Sequence, residues 1–120
     1  MEWNFKNGIP IYTQIIDEMT MRIASGQYPP GGKLPSVRDL ALEAGVNPNT
    51  MQKALSDFES TGLVHSERTS GRFITNDDNL IKELRKSLVD VQIEEFFKNM
   101  GKLGFTGKEI IQLVEQHVEK

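Results

Sequence analysis

The chain has 120 residues, with 14 Lys/Arg against 17 Asp/Glu and no cysteine. That length holds one good core, or a small domain of about 70 residues with an appendage, and excludes a large catalytic domain. Without cysteine there is no disulfide, thiolate zinc site or cysteine nucleophile, which fits a reducing cytoplasm, and a net charge of -3 argues mildly against a nucleic-acid partner.

Splitting the chain does not change the charge argument: residues 1–75 carry 7 Lys/Arg against 8 Asp/Glu, and residues 76–120 carry 7 against 9. Only the charge on one face can then matter, and Lys33, Arg38, Lys53, Arg68 and Arg72 surround a candidate motif. The start MEWNFKNGIPIY lacks the basic region and apolar core of a signal peptide. No apolar run approaches the ~18 residues of a membrane span. The expectation is a soluble cytoplasmic protein with no membrane partner.

Taken in chain order, Ile11, Ile15, Ile16, Met19 and Ile23 recur at helical spacing between Pro10 and Gly26, predicting a helix over about 11–25. GQYPPGGKLP is too rich in proline and glycine to continue it and reads as a loop. Ser36 is a capping residue with a carboxylate, Asp39, three positions on; it opens a short helix over about 37–44, closed by Gly45. Asn47 and Pro48 suit the cap and first position of a further helix through Met51, Ala54, Leu55 and Phe58 to a stop at Gly62. Leu63–Glu67 and Arg72–Thr75 are short alternating runs, predicting a β-hairpin with Gly71 at its tip.

Asn76–Asn79 is a polar boundary. Beyond it Ile81, Leu84, Leu88, Val91, Phe96, Phe97 and Met100 predict a long amphipathic helix to about Met100, broken by Gly101 and Gly104. Thr106–Glu109 is a second capping box, opening a last helix that carries Ile110, Ile111, Leu113, Val114 and Val118 to about 119. The expected fold class is mainly α with a small β-hairpin: a winged helix-turn-helix domain over 1–76 and a two-helix dimerisation tail over 77–120. The tail helices carry more apolar face than two helices can bury alone, so a partner subunit is one cover and the chain's own winged domain the other.

A helix-turn-helix is first a packing unit, and many never touch nucleic acid. Here a helix precedes the pair and a hairpin with Arg68, Gly71 and Arg72 follows it, an arrangement suited to major-groove insertion with a wing near the backbone or minor groove. If Met51, Ala54, Leu55 and Phe58 face the core, Asn49, Gln52, Lys53 and Ser56 fall on the opposite side of a 3.6-period helix. Asn and Gln pair with adenine, and Lys reaches phosphate or guanine, so such a helix reads bases with little formal charge. Taken singly, these residues are an ordinary capping group and a solvated face; their common side lifts the functional reading. Arg38 stands at a helix start, where the dipole disfavours a cation. An external guanine or phosphate would satisfy it, and so would a salt bridge to Asp39, Glu43 or the third helix.

PIYTQI, SGQYPPGGKLPSVRDLA, GVNPNTMQKAL, TGLV and SGRFI, in that order, resemble the DNA-binding domain of GntR-type bacterial transcription regulators over about residues 9–75. The resemblance implies that Arg38 contacts bases, that Asn47, Asn49, Thr50 and Gln52 lie at or near DNA, and that Gly71 lets the wing approach the minor groove. Pro48 and Gln52 depart from the family, where many relatives carry arginines, so the recognised base sequence is left open. FFKNMGKLGFTGKEIIQLV resembles the short tail of the YtrA-type subgroup, which implies dimerisation and control of an operon for an ABC-type transporter.

His65 and His117 have no metal-ligand spacing, no serine stands in a nucleophile elbow, and PPGGK lacks the spacing of a P-loop. No enzyme activity, metal or cofactor is expected. The expected protein is a homodimeric repressor on double-stranded palindromic DNA, using Lys33, Ser36, Arg38, Asn47, Asn49, Thr50, Gln52, Lys53, Arg68, Gly71 and Arg72. Dimerisation is assigned to Ile81, Leu84, Leu88, Val91, Phe96, Phe97, Met100, Ile110, Leu113 and Val114. The rival readings are a protein-interaction winged helix and a regulator gated by a small-molecule effector, for which no residue identifies the ligand.

Overall fold

The structure is a computed structural model that describes residues 3–119. It contains α1 (Ile11–Ala24), α2 (Val37–Ala44), α3 (Pro48–Phe58), β1 (Val64–Glu67), β2 (Gly71–Ile74), α4 (Asp78–Lys102) and α5 (Gly107–Val118). Two compact units divide inside α4, at Glu83/Leu84, beyond the polar junction where the sequence suggests a boundary.

The first unit is a winged helix-turn-helix. The stripe of α1 buries Ile15, Met19 and Ile23. Ser36 caps α2 by accepting a hydrogen bond from the Asp39 backbone at 3.1 Å. Gly45 then closes α2 in the left-handed region (φ 71°), a conformation costly for a residue with a Cβ. Two residues later Asn47 accepts from the Asn49 backbone at 2.7 Å and Pro48 starts α3. This short turn sets α3 across α1 and α2, burying Met51, Ala54, Leu55 and Phe58. Truncating a side chain such as Phe58 here would cost about 3–5 kcal/mol.

Beyond a 3-10 turn over Glu59–Thr61, β1 and β2 pair antiparallel with Val64 opposite Ile74 and Glu67 opposite Gly71. The loop before α2 runs along β2: the Leu34 N–H donates to the Arg72 carbonyl, and the Ile74 N–H to the Gly32 carbonyl. The tip is therefore Arg68–Thr69–Ser70, and Gly71 is the first residue of β2 rather than the tip. At φ 105° Gly71 occupies the positive-φ position that follows a three-residue hairpin loop. A Cβ there would also come within 3.2 Å of the Lys33 side chain.

α4 starts earlier and ends later than its sequence pattern suggests. Asp77 accepts from the Leu80 backbone at 3.1 Å, so part of the polar junction serves as the helix cap. Gly101 lies within the helix; the break comes at Gly104 (φ 94°), because a single glycine costs only ~1 kcal/mol in a helix. Nor is α4 amphipathic along one line. At 100° per residue, Leu80, Ile81, Leu84, Leu88 and Val91 share one side, whereas Val89, Ile93, Phe96, Phe97 and Met100 share the other. Its apolar stripe changes side near Leu88–Val91, within the second unit. In the second unit α5 opens with a full capping box: Thr106 accepts from the Glu109 backbone and Glu109 from the Thr106 backbone.

Candidate nucleic-acid interface

The outer face of α3 carries Asn49, Gln52, Lys53 and Ser56, all exposed, as the 3.6-residue period predicts. Gln52 Nε2 donates to Ser56 Oγ at 3.0 Å, one helical turn away. Lys53 leans over the Tyr12 ring, its ammonium 5.8 Å from the centroid, and both line a shallow recess with Thr50 and Asp57. The Tyr12 hydroxyl donates to Asp57, and that hydrogen bond holds the phenol above its ordinary pKa. Thr50 is half-buried at the edge of this recess. Asn47 spends its side-chain oxygen on the helix cap, which leaves its amide N–H groups for any further contact.

Arg38 is exposed on α2 and makes no hydrogen bond or ion pair among the described residues. The internal partners open to it in sequence are not used: Glu43 instead accepts from Trp3 at 3.0 Å and from Arg22 at 3.1 Å. A guanidinium left free at a helix start is chemically suited to a carboxylate, phosphate or guanine from outside. Lys33, Leu34, Pro35, Ser36 and Val37 face Ser66–Arg72 across an open groove between the start of α2 and the wing. Lys33 and Arg68 are exposed cations on opposite walls, whereas Ser36 is occupied as the cap of α2.

Arg72 departs from its expected role as a free wing cation. Its side chain is only 16% exposed and turns inward, with Nη2 donating to Ser56 Oγ at 3.3 Å and Nε lying 3.6 Å from Glu59 Oε1. Sequence position alone places it beside the turn. The hairpin register sends its side chain back toward α3, because alternate residues of a strand point to opposite faces.

The structure also contains a residue that the sequence reading passed over. Arg22 is 1% exposed in the apolar stripe of α1. Its Nε donates to Glu18 at 2.8 Å, its Nη1 to Tyr28 at 2.7 Å and to Glu43 at 3.1 Å, and the guanidinium lies 4.5 Å from the Trp3 ring centroid. Burial works against its charge, but the bonds to Glu18, Tyr28 and Glu43 outweigh it and hold the group above the ordinary arginine pKa. The signal was there: position 22 falls three residues after Met19 and seven after Ile15, on the core side. Through Glu43 this residue ties α1 to the helix that carries Arg38.

In the second unit Val91, Phe96 and Val114 are 52%, 42% and 41% exposed, and Leu88, Phe97, Met100 and Leu113 are half-buried. Leu84, at the division, is half-buried as well. Ile81 and Ile110 correct the expectation for an interface: each is already buried within the single chain, Ile81 in the winged unit and Ile110 in the second. Val89, Ile93, Leu103, Phe105, Ile111 and Val118, not chosen from sequence, are exposed. Two apolar clefts lie between the C-terminal half of α4 and α5, meeting at Phe96 and Val114.

The family model described as "Bacterial regulatory proteins, gntR family" matches residues 11–74, from the start of α1 to the end of β2. The chain belongs to the GntR family. Against the HTH-type transcriptional regulator YhcF of Bacillus subtilis it is 37% identical over 119 residues, which is 99% of this chain and 98% of that protein. The HTH-type transcriptional repressor YtrA of the same organism is 35% identical over 75% of this chain and 70% of its own. Among solved structures, a GntR family transcriptional regulator from Listeria monocytogenes superposes with a TM-score of 0.84 at 36% identity, covering 93% of this chain and 98% of that one. The AraR DNA-binding domain, crystallised in complex with operator ORX1, superposes with a TM-score of 0.57 at 30% identity, covering 62% of this chain and 96% of that domain.

As a GntR regulator, the protein is a DNA-binding winged-helix transcription regulator of a non-enzymatic family. Its net acidity is reconciled with that class locally. The outer face of α3 carries neutral Asn49, Gln52 and Ser56, and the cations Lys33, Arg38, Lys53 and Arg68 are exposed. Among the described residues no group of three or more His, Cys, Asp or Glu is placed to hold a metal ion, and no helix is long and apolar enough to cross a membrane.

Proposed function

We propose that the protein is a homodimeric repressor that binds a palindromic operator in the cytoplasm, with Arg38 as its principal charged base reader. The observation that carries this reading is Arg38 itself, exposed on α2, the helix packed against α3, and without a hydrogen bond or ion pair among the described residues. Asn49 and Gln52 add neutral readers, Asn47 and Thr50 flank them, and Lys33, Ser36, Lys53 and Arg68 contact the backbone. Gly71 permits the close approach of the wing. Repression is supported by the relative YtrA, which is named a repressor. Dimerisation is supported by exposed Val91, Ile93, Phe96, Val114 and Val118 in the second unit, a concentration of apolar surface that water does not favour. Control of a transporter operon rests on the subgroup resemblance of the tail.

Two linked half-site contacts raise each other's effective concentration, so a dimer on a palindrome gains affinity without new contacts. Selection from random duplexes, followed by sequencing, should return an inverted repeat with half-sites near one helical turn apart, ~34–36 Å. Arg38→Ala should then reduce the ratio of operator to random-duplex affinity at least about tenfold, within the range of a lost paired guanine contact. An unchanged ratio in that variant would remove Arg38 from the base-reading role, and an asymmetric selected site would remove the palindrome.

A further inference from the structure

Three side chains link the wing to the outer face of α3. Ser66 Oγ donates to Glu59 Oε1, Glu59 pairs with Arg72 Nε at 3.6 Å, and Arg72 Nη2 donates to Ser56 Oγ at 3.3 Å. From the other side Gln52 Nε2 donates to the same Ser56 Oγ at 3.0 Å. A serine hydroxyl has one O–H and two lone pairs, and here the two lone pairs receive Arg72 and Gln52 as donors. Arginine offers only donors, so it cannot exchange roles with the serine; its buried Nε lies at ion-pair but not hydrogen-bond distance from Glu59.

The orientation this gives Gln52 has a consequence for recognition. With one N–H spent on Ser56, the amide has one N–H and its carbonyl oxygen left to face outward. A donor beside an acceptor is the complement of adenine, which presents N7 and the N6 amino group in the major groove. A glutamine without such an anchor rotates about its last bond and offers the two atoms in either order. We infer that Arg72 is a positioning residue: held by Glu59, it fixes the Gln52 amide through Ser56 and so sets a preference for adenine at one base pair of each half-site. The inference rests on the DNA-binding reading of α3 and adds to it the wing as a determinant of what α3 reads.

The test uses the full chain with a selected operator and its variants at each base pair, in competition binding at fixed salt. Ser56→Ala is safe for the fold, because Ser56 is exposed and alanine is the better helix former. Ser56→Ala and Arg72→Lys should each lower adenine discrimination at one position by about fivefold or more, from the roughly 5- to 150-fold that a paired contact supplies. The other positions should keep their preferences, and Ser56→Thr, which keeps the hydroxyl, should keep the discrimination. Retention of the wild-type preference in either Ser56→Ala or Arg72→Lys overturns the inference while leaving DNA binding intact. An even loss of affinity on every sequence overturns it too, and marks Arg72 as a phosphate contact. If the wild-type chain itself shows no preference among duplexes, the reading of α3 fails and the inference with it.

Discussion

Replacing Arg22 by alanine tests how the winged unit is held together. The guanidinium donates to Glu18, which is 24% exposed, to Glu43, which is 45% exposed, and to Tyr28. A hydrogen bond involving a charged group contributes about 1.5–3 kcal/mol, so Glu18 and Tyr28 together supply ~3 kcal/mol at the lower end. The pair with Glu43 is screened by solvent and adds ~0–1 kcal/mol. Stacking on Trp3 adds ~0.5–1 kcal/mol. Against this, removing Arg22 recovers the cost of burying its charge, and both carboxylates remain wet enough to rehydrate. A net loss of about 3 kcal/mol is expected, below the ~3–5 kcal/mol upper range for breaking a fully buried pair. For a unit of this size that lowers Tm by roughly 12–24 °C. Trp3 is the only tryptophan and stacks on the guanidinium, so its fluorescence during urea and thermal unfolding reports the same contact. Arg22→Met, which fills a similar volume without the charge, separates packing from hydrogen bonding. If Arg22→Met unfolds within ~0.5 kcal/mol of wild type, the polar network adds nothing beyond an apolar side chain and the reasoning is refuted.

Three further outcomes are expected. With Lys33, Arg38, Lys53 and Arg68 as exposed cations in each subunit, the proposed dimer would neutralise at most about eight phosphates, so the log–log salt slope of operator binding should be no steeper than about -7; a slope near about -10 contradicts this. A chain ending at Glu83 should fold and lose both self-association and most operator affinity, whereas one ending at Asn76 also loses buried Ile81 and should be less stable by ~2–4 kcal/mol. Ultracentrifugation showing the shorter chains still dimeric would count against the tail as the dimer contact. Hydrogen bonding from the Thr106 backbone and hydroxyl holds the Glu109 carboxyl below its ordinary value of 4.5. A depressed carboxyl pKa gives stability that is present above pH 4.5 and lost as pH falls through the lower, folded value. Protection of the amides at the start of α5, measured against their intrinsic exchange rates, should therefore fall on acidification through that range in wild type but not in Glu109→Gln.

Local signals carried most of the fold. Ser36, Gly45, Asn47–Pro48 and Thr106–Glu109 mark helix ends through bonds that reach no more than four residues, and those ends fell where the chemistry placed them. The polar face of α3 was legible for the same reason, because a helix converts spacing directly into direction. Where the chain had to choose between near-equal local options, only tertiary structure decided. For Arg38 the sequence allowed an outside guanine or phosphate as well as Asp39, Glu43 or the third helix; in the fold Glu43 is engaged by Arg22 from α1, a helix well separated in sequence. Arg72 turned from wing cation to internal strut because hairpin register, not proximity to the turn, aims a strand side chain. The apolar residues of α4 were visible, but their burial was not: Ile81 and Val91 share one side of the helix, yet Ile81 is buried in the winged unit while Val91, in the second unit, is exposed. Short-range hydrogen bonding and helical periodicity are properties of a segment, and the sequence alone determines them; charge partners and burial are properties of what packs against that segment, and the tertiary structure assigns them.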